Sequence, residues 1–263
     1  MSAVPRWYVP TYVLVKLPLI VLAGALAAPA VGDVAPGRRR EIALVAFMAI
    51  FPVLCTVIVS GPAFTGMRHF LYVVPPLAVL ASIGLDGLLG TMKRLGAAIG
   101  ATAMTVLGAA FAWTAVELVQ LHPHQYLFFN SLVGGLEGAT RRYDTDYWVN
   151  IMPEAVAGLN AFVRRTDGSA ARRYTVAVCG ERLPFERSAD PRFAWTGDWL
   201  GADFFIAPTH MDCDRALKGK VAFTIERLGA VIGVVQDLRG LGRNERDFIE
   251  HRDAATAGTA RKP

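Results

Sequence analysis

Charge is scarce in the first half of this chain. Residues 1–121 are long apolar runs with few Asp, Glu, Lys or Arg, while residues 122–263 hold most of them. Cysteine is scarce as well, with three in 263 residues. Zinc-finger spacing, an RNA-binding signature and a basic helix are all missing, so a nucleic-acid groove is a poor explanation of the net charge of +5. The apolar runs carry almost none of the buried charges that mark ion paths, which argues against a transporter subunit. His122 and His124 make half a metal site, and Asp144-Thr145-Asp146 offers only two carboxylates. A hard cation needs more oxygen ligands than that, so neither a metal nor a cofactor is expected.

The mean hydropathy of +0.37 therefore averages two unlike halves. A helix crosses the hydrocarbon core with about 20 apolar residues. Four segments of residues 1–121 meet that length: Tyr12–Ala30, Ile42–Ser60, Phe70–Leu89 and Leu95–Val116. Lys16, one turn into the first, can snorkel to the headgroups. Arg38, Arg39 and Arg40 follow the first segment, and Lys93 and Arg94 follow the third. The positive-inside rule puts those five on the cytoplasmic side and both the N-terminus and the C-terminal domain outside. A second reading takes Tyr12–Ala30 as a signal peptide cleaved near Ala28-Pro29-Ala30, which leaves three spans and inverts the rest. The charge bias favours four uncleaved spans in a bacterial plasma membrane.

Pro75-Pro76 interrupts the third segment, either as a packed kink or as a helix end facing a cavity. Arg68-His69 opens that segment from the outer surface. The pair reads either as an ordinary anchor or as a cationic site for a lipid phosphate, since Arg offers oxyanions a planar fork of donors.

Residues 122–152 form an interfacial hinge. The run His122–Trp148 (HPHQYLFFNSLVGGLEGATRRYDTDYW) is dense in aromatics, glycines and close-set charges. Beyond it, residues 153–240 read as a small extracytoplasmic α/β domain. Pro153–Arg165 is an amphipathic helix, with Ala155, Val156, Leu159, Phe162 and Val163 on one face. Strand-like runs follow at Tyr174–Cys179, Phe204–Ala207, Val221–Glu226 and Ala230–Val235, the last two as a hairpin. Glu181–Leu200 reads as a long loop whose aromatics either fold back onto the sheet or meet a sugar. Residues 241–263 read as a disordered tail. Cys55 lies in a span, whereas Cys179 and Cys213 share the outer domain, where an oxidising compartment permits a disulfide; spacing alone leaves paired and unpaired states open.

The hinge carries a resemblance. His122-Pro123, Tyr126-Leu127-Phe128-Phe129-Asn130, Val133-Gly134-Gly135, Gly138-Ala139 and Tyr143-Asp144-Thr145-Asp146-Tyr147-Trp148 resemble the region after the last membrane helices of bacterial glycosyltransferase family 39 proteins. Arg68-His69-Phe70-Leu71-Tyr72 with Pro75, and Pro5-Arg6-Trp7-Tyr8-Val9-Pro10, are similar to other segments of that family. Together they cover about residues 5–165. The resemblance implies a multi-spanning enzyme of the GT-C class that moves a sugar from a polyprenyl-phosphate donor on the outer side of the membrane. It places Arg68 and His69 near the lipid phosphate, and His122, Tyr126, Asn130, Tyr143, Asp144, Asp146 and Trp148 in an interfacial motif.

The family's general base is an acidic residue of the first outer loop. Here the outward segments Met1–Thr11 and Gly61–His69 hold neither Asp nor Glu. The chain is therefore expected to be the C-terminal part of a longer enzyme, through a split or frameshifted gene or an internal start at Met1, with a separately encoded N-terminal half as partner. The alternative is a non-enzymatic integral membrane protein that binds a partner or a lipid-linked sugar.

Overall fold

The computed structural model describes residues 5–30, 36–59, 66–146, 148–167 and 172–246. The chain divides into two compact units, Met1–Arg142 and Tyr143–Pro263, so the boundary falls inside the His122–Trp148 run.

The first unit begins with α1 (Tyr8–Lys16) and α2 (Leu19–Ala27, prolonged as a 3₁₀ turn to Ala30). The sequence reads Tyr12–Ala30 as one span, but the two helices are bent by 109°. The cause is local. Leu17 adopts an extended backbone and Pro18 has no N–H to carry the helix onward. Next come α3 (Pro36–Val59), α4 (Val74–Leu95) and α5 (Ala97–Gln120). Among the described residues three helical stretches are long and apolar enough to cross a membrane, or four if the bent pair counts as one. At 1.5 Å per residue, the 24 residues of α5 reach about 36 Å, more than a hydrocarbon core of about 30 Å.

Helix packing uses small residues. Gly24 of α2 faces Ala81, Gly84 and Leu85 of α4, and Ala28, Ala49 and Leu80 are buried where α2, α3 and α4 meet. Away from that seam Phe47, Phe51 and Ile58 of α3 and Val106, Phe111 and Trp113 of α5 are exposed. A water-soluble bundle would bury such residues, whereas lipid solvates them. Pro75 and Pro76 do not kink α4; they mark its N-terminal end. Residues Arg68–Val73 form a 3₁₀ helix that passes into α4 at Val74, and the prolines occupy the first turn, where a missing N–H breaks nothing. The unit closes with 3₁₀ turns at Gln125–Leu127 and Ser131–Val133 and the short α6 (Gly135–Ala139).

The second unit is a five-stranded mixed sheet. Helix α7 spans Met152–Thr166, one residue beyond the expected helix at each end, and buries Ala155, Val156, Leu159 and Val163. The strands are β1 (Tyr174–Val178), β2 (Phe193–Trp195), β3 (Phe204–Pro208), β4 (Lys220–Arg227) and β5 (Ala230–Asp237), in the order β2-β1-β3-β5-β4. β1 pairs in parallel with β2 and β3, and β5 runs antiparallel to β3 and β4.

Period-two alternation gives each strand two faces. Phe204 meets Phe162 of α7 edge to face, while Phe205 and Ala207 join Ala177, Leu217 and Leu238 in a second core on the other side. Arg227 pairs with Ala230 across a turn at Leu228 and Gly229, both with positive φ, as a two-residue hairpin requires.

Two parts differ from the sequence reading. Glu181–Leu200 is not a plain loop: it holds α8 (Arg182–Ser188) and strand β2, which makes the sheet edge. Seven-residue and three-residue elements are too short for a periodic signature, and tertiary pairing with β1 makes the strand. Residues 241–246, read as the start of a tail, include the short α9 (Arg243–Arg246), fastened where Arg246 Nη1 donates to Leu200 O and Ala202 O, each at 2.8 Å. The rest of that stretch lies outside the described residues.

Candidate functional site

The break between α1 and α2 exposes the last carbonyls of α1, which have no helical partners. One residue of the interfacial motif answers them. Asn130 Nδ2 donates to Leu14 O and to Leu17 O, each at 2.7 Å, and its backbone N–H donates to Val15 O at 2.9 Å. Its Oδ1 accepts from Leu132 N at 3.1 Å and its own carbonyl from Gly135 N at 3.1 Å. Asn130 is buried. Gly134 and Gly135, with φ of 81° and 67°, let the chain double back around it.

Lys16 does not reach outward as its place in the sequence suggests. Its Nζ donates to Tyr126 O at 2.9 Å and lies 3.6 Å from the centre of the Phe129 ring. Tyr126, Phe129 and Asn130 thus form a saddle over the helix break. His122 pairs through Nδ1 with Gln125 Nε2 at 2.9 Å, and His124 is buried edge-on to Tyr126.

The opposite end of α1 carries the second feature. The Tyr8 ring lies 4.5 Å from that of Tyr12, tilted by 38°, and the Tyr8 hydroxyl accepts from Gly66 N at 2.7 Å. Gly66 lies two residues before Arg68, so α1 is tied to the start of the 3₁₀ helix that presents Arg68 and His69. There Arg68 Nε donates to His69 Nε2 at 3.1 Å, which holds the guanidinium beside an imidazole that is exposed at the head of an apolar helix. Two nitrogen-rich side chains in that position offer hydrogen-bond donors to an oxyanion.

The remaining motif residues belong to the second unit. Asp146 is buried and its Oδ1 accepts from Asn150 N at 3.4 Å. Tyr143 and Asp144 are half-buried, and Trp148 is exposed. The motif is therefore divided, with His122, Tyr126 and Asn130 in one unit and Tyr143, Asp144, Asp146 and Trp148 in the other. Among the described residues no group of three or more His, Cys, Asp or Glu gathers as a metal site.

Cys179 and Cys213 are joined by a disulfide, with Cα atoms 6.0 Å apart, and Cys55 is a free thiol. The roles of three residues of this region were not legible in the sequence. Lys16 and Tyr8 act through contacts far along the chain. Glu117 lies in the last turn of α5, which runs four residues past Val116; it is half-buried directly ahead of the His122–Asn130 segment.

No protein-family model matches the chain, and no match is found among curated proteins or among solved structures.

Proposed function

We propose that this chain is the C-terminal part of a membrane glycosyltransferase that takes a sugar from a polyprenyl-phosphate donor on the outer side of a bacterial plasma membrane. Arg68 and His69 face the donor phosphate, and the sheet domain shapes access of the acceptor. The observation that carries this reading is the paired Arg68 and His69 at the head of α4, steadied through the bond from Gly66 to Tyr8. A lipid phosphate lies at headgroup depth, where a planar guanidinium can take two oxygens at once.

The cation distribution supports the orientation, because Arg38, Arg39, Arg40, Lys93 and Arg94 belong on the cytoplasmic side. The Cys179–Cys213 disulfide supports it independently, since such bonds persist in oxidising compartments. The outward segments supply no carboxylate, so on this reading the general base lies outside residues 1–263. That same lack favours the second reading, a non-enzymatic membrane protein that binds lipid-linked sugar or a partner.

The test is native mass spectrometry of the full chain in nanodiscs with a polyprenyl phosphate. Retention of the lipid, weakened at least tenfold by Arg68→Ala and partly restored by Arg68→Lys, is the expected result. Lipid binding that ignores both substitutions overturns the assignment. Sugar transfer when the N-terminal half is added separates the enzyme from the binding protein.

A further inference from the structure

The disulfide occupies a particular place in the sheet. After β1 the chain leaves toward β2, and β3 returns on the other side of β1. The carboxyl ends of β1 and β3 are therefore the point where connections depart in opposite directions, the position at which open α/β sheets form crevices. Cys179 directly follows β1, and its N–H donates to Ile206 O of β3 at 2.9 Å. Cys213 lies in the loop that follows β3, so the disulfide closes that switch point by tying its two exit loops together.

The loop it holds is strained. Met211 and Asp212 are consecutive non-glycine residues in the left-handed region, with φ of 54° and 55°. Side chains with a Cβ avoid that region, and two in succession persist only where both ends are fixed. One end is fixed at Thr209, whose N–H donates to Ile232 O of β5 at 3.1 Å. The other is fixed by the covalent bond at Cys213 and, one residue on, by Gln236 Nε2 of β5 donating to Asp214 O at 3.2 Å. Both cysteines are partly buried at the margin of the core formed by Ala177, Phe205 and Leu217, while Met211 beside them is 77 % exposed.

We propose that Cys179–Cys213 is an exchangeable clasp: a dithiol reductant opens it and releases the loop 209–216 from the carboxyl end of β1 and β3. A thiolate of the reductant attacks the Cys213 sulfur, forming a mixed disulfide and expelling the Cys179 thiolate, which takes a proton. The second thiol of the reductant then attacks the mixed disulfide and frees Cys213 as a thiol. The protein gains two electrons and two protons, and the reductant leaves as its own disulfide. Release uncovers the switch-point edge while the strand ladder of β3 and β5 stays paired.

The experiment uses the full chain in nanodiscs, with dithiothreitol as the dithiol. Differential alkylation reports the two thiols and hydrogen exchange reports the backbone. The expected result is alkylation of Cys179 and Cys213 together with at least tenfold faster exchange across 210–216, while amides of β3 and β5 keep their protection. Reduction that leaves 210–216 unchanged overturns the proposal, as does reduction that appears only with loss of protection throughout the sheet. A second measurement tests the strain directly. Met211→Asn puts a residue that tolerates left-handed geometry at the first strained position, so its thiol–disulfide equilibrium with dithiothreitol should shift several-fold toward the closed form. An unshifted equilibrium overturns the claim that strain favours opening.

Discussion

Gly84 of α4 sits directly against the backbone carbonyl of Gly24 in α2, so close that neither residue has room for a Cβ. Lipid supplies no hydrophobic force to hold two helices together, so their association depends on backbones approaching closely enough for dispersion contacts. Replacing Gly84 with Val wedges α2 from α4 and costs about 1–3 kcal/mol, the range for overpacking a fitted contact. Thermal unfolding in detergent should show a lowered midpoint for Gly84→Val. Gly90, whose Cβ position meets nothing within 4 Å, is the control, and Gly90→Ala should leave the midpoint in place or raise it.

Asn130 closes the break between α1 and α2, and this gives a second prediction. Asn130→Ala strips the side-chain donors from Leu14 O and Leu17 O. The buried Leu17 carbonyl left without a partner costs about 1–3 kcal/mol, and the part-buried Leu14 carbonyl costs less. Asn130→Asp keeps the shape but turns donors into acceptors aimed at carbonyls, so it should destabilise the unit at least as much. Equilibrium unfolding in mixed micelles measures both, and an Ala variant as stable as the parent would remove Asn130 from this role.

The sequence was legible where a period ran long enough. The stripe Ala155, Val156, Leu159 and Val163 marked α7, and the apolar runs of α3, α4 and α5 marked themselves. What escaped were features that depend on distant partners. Nothing near Lys16 shows that its ammonium turns to Tyr126 O, 110 residues away, and three residues cannot declare β2 a strand before β1 is there to pair with it. The double proline was visible, but the 3₁₀ helix ahead of it was not, so a first turn reads as an interruption. Residue types singled out Arg68 with His69, and the cysteine pair that the structure joins as a disulfide. The role of Asn130 came only from tertiary geometry.

Glu154 of α7 and Arg227 at the hairpin meet through two bonds, Nη2 to Oε2 at 2.6 Å and Nη1 to Oε1 at 3.2 Å. The carboxylate side chain is 41 % exposed, so solvent screening keeps the pair's worth within about 1 kcal/mol. Arg227→Lys preserves charge but not the fork. A double-mutant cycle with Glu154→Gln should return a coupling of a few tenths to about 1 kcal/mol that shrinks in high salt.

Acid should loosen the sheet unit through Asp237. Burial pushes its carboxyl up, but Arg239 outweighs burial by donating through Nε at 2.9 Å, Nη2 at 2.7 Å and its backbone N–H at 3.0 Å. The net effect holds Asp237 below its usual 3.8. A depressed folded-state pKa means that the unfolded chain binds the proton more readily. The pair's contribution is therefore present above the unfolded value of about 4 and is lost as pH falls through the folded one. Asp190, held down first by the backbone N–H of Arg192, adds in the same direction and window. Arg239→Met removes the two guanidinium bonds but keeps the backbone N–H at 239, so the carboxyl of Asp237 rises toward its usual value. The acid-dependent slope contributed by that residue then flattens. Urea unfolding of the full chain in micelles between pH 3 and 6, followed by tryptophan fluorescence, should show a shallower acid loss in Arg239→Met than in the parent, and identical slopes would refute the pairing as the cause.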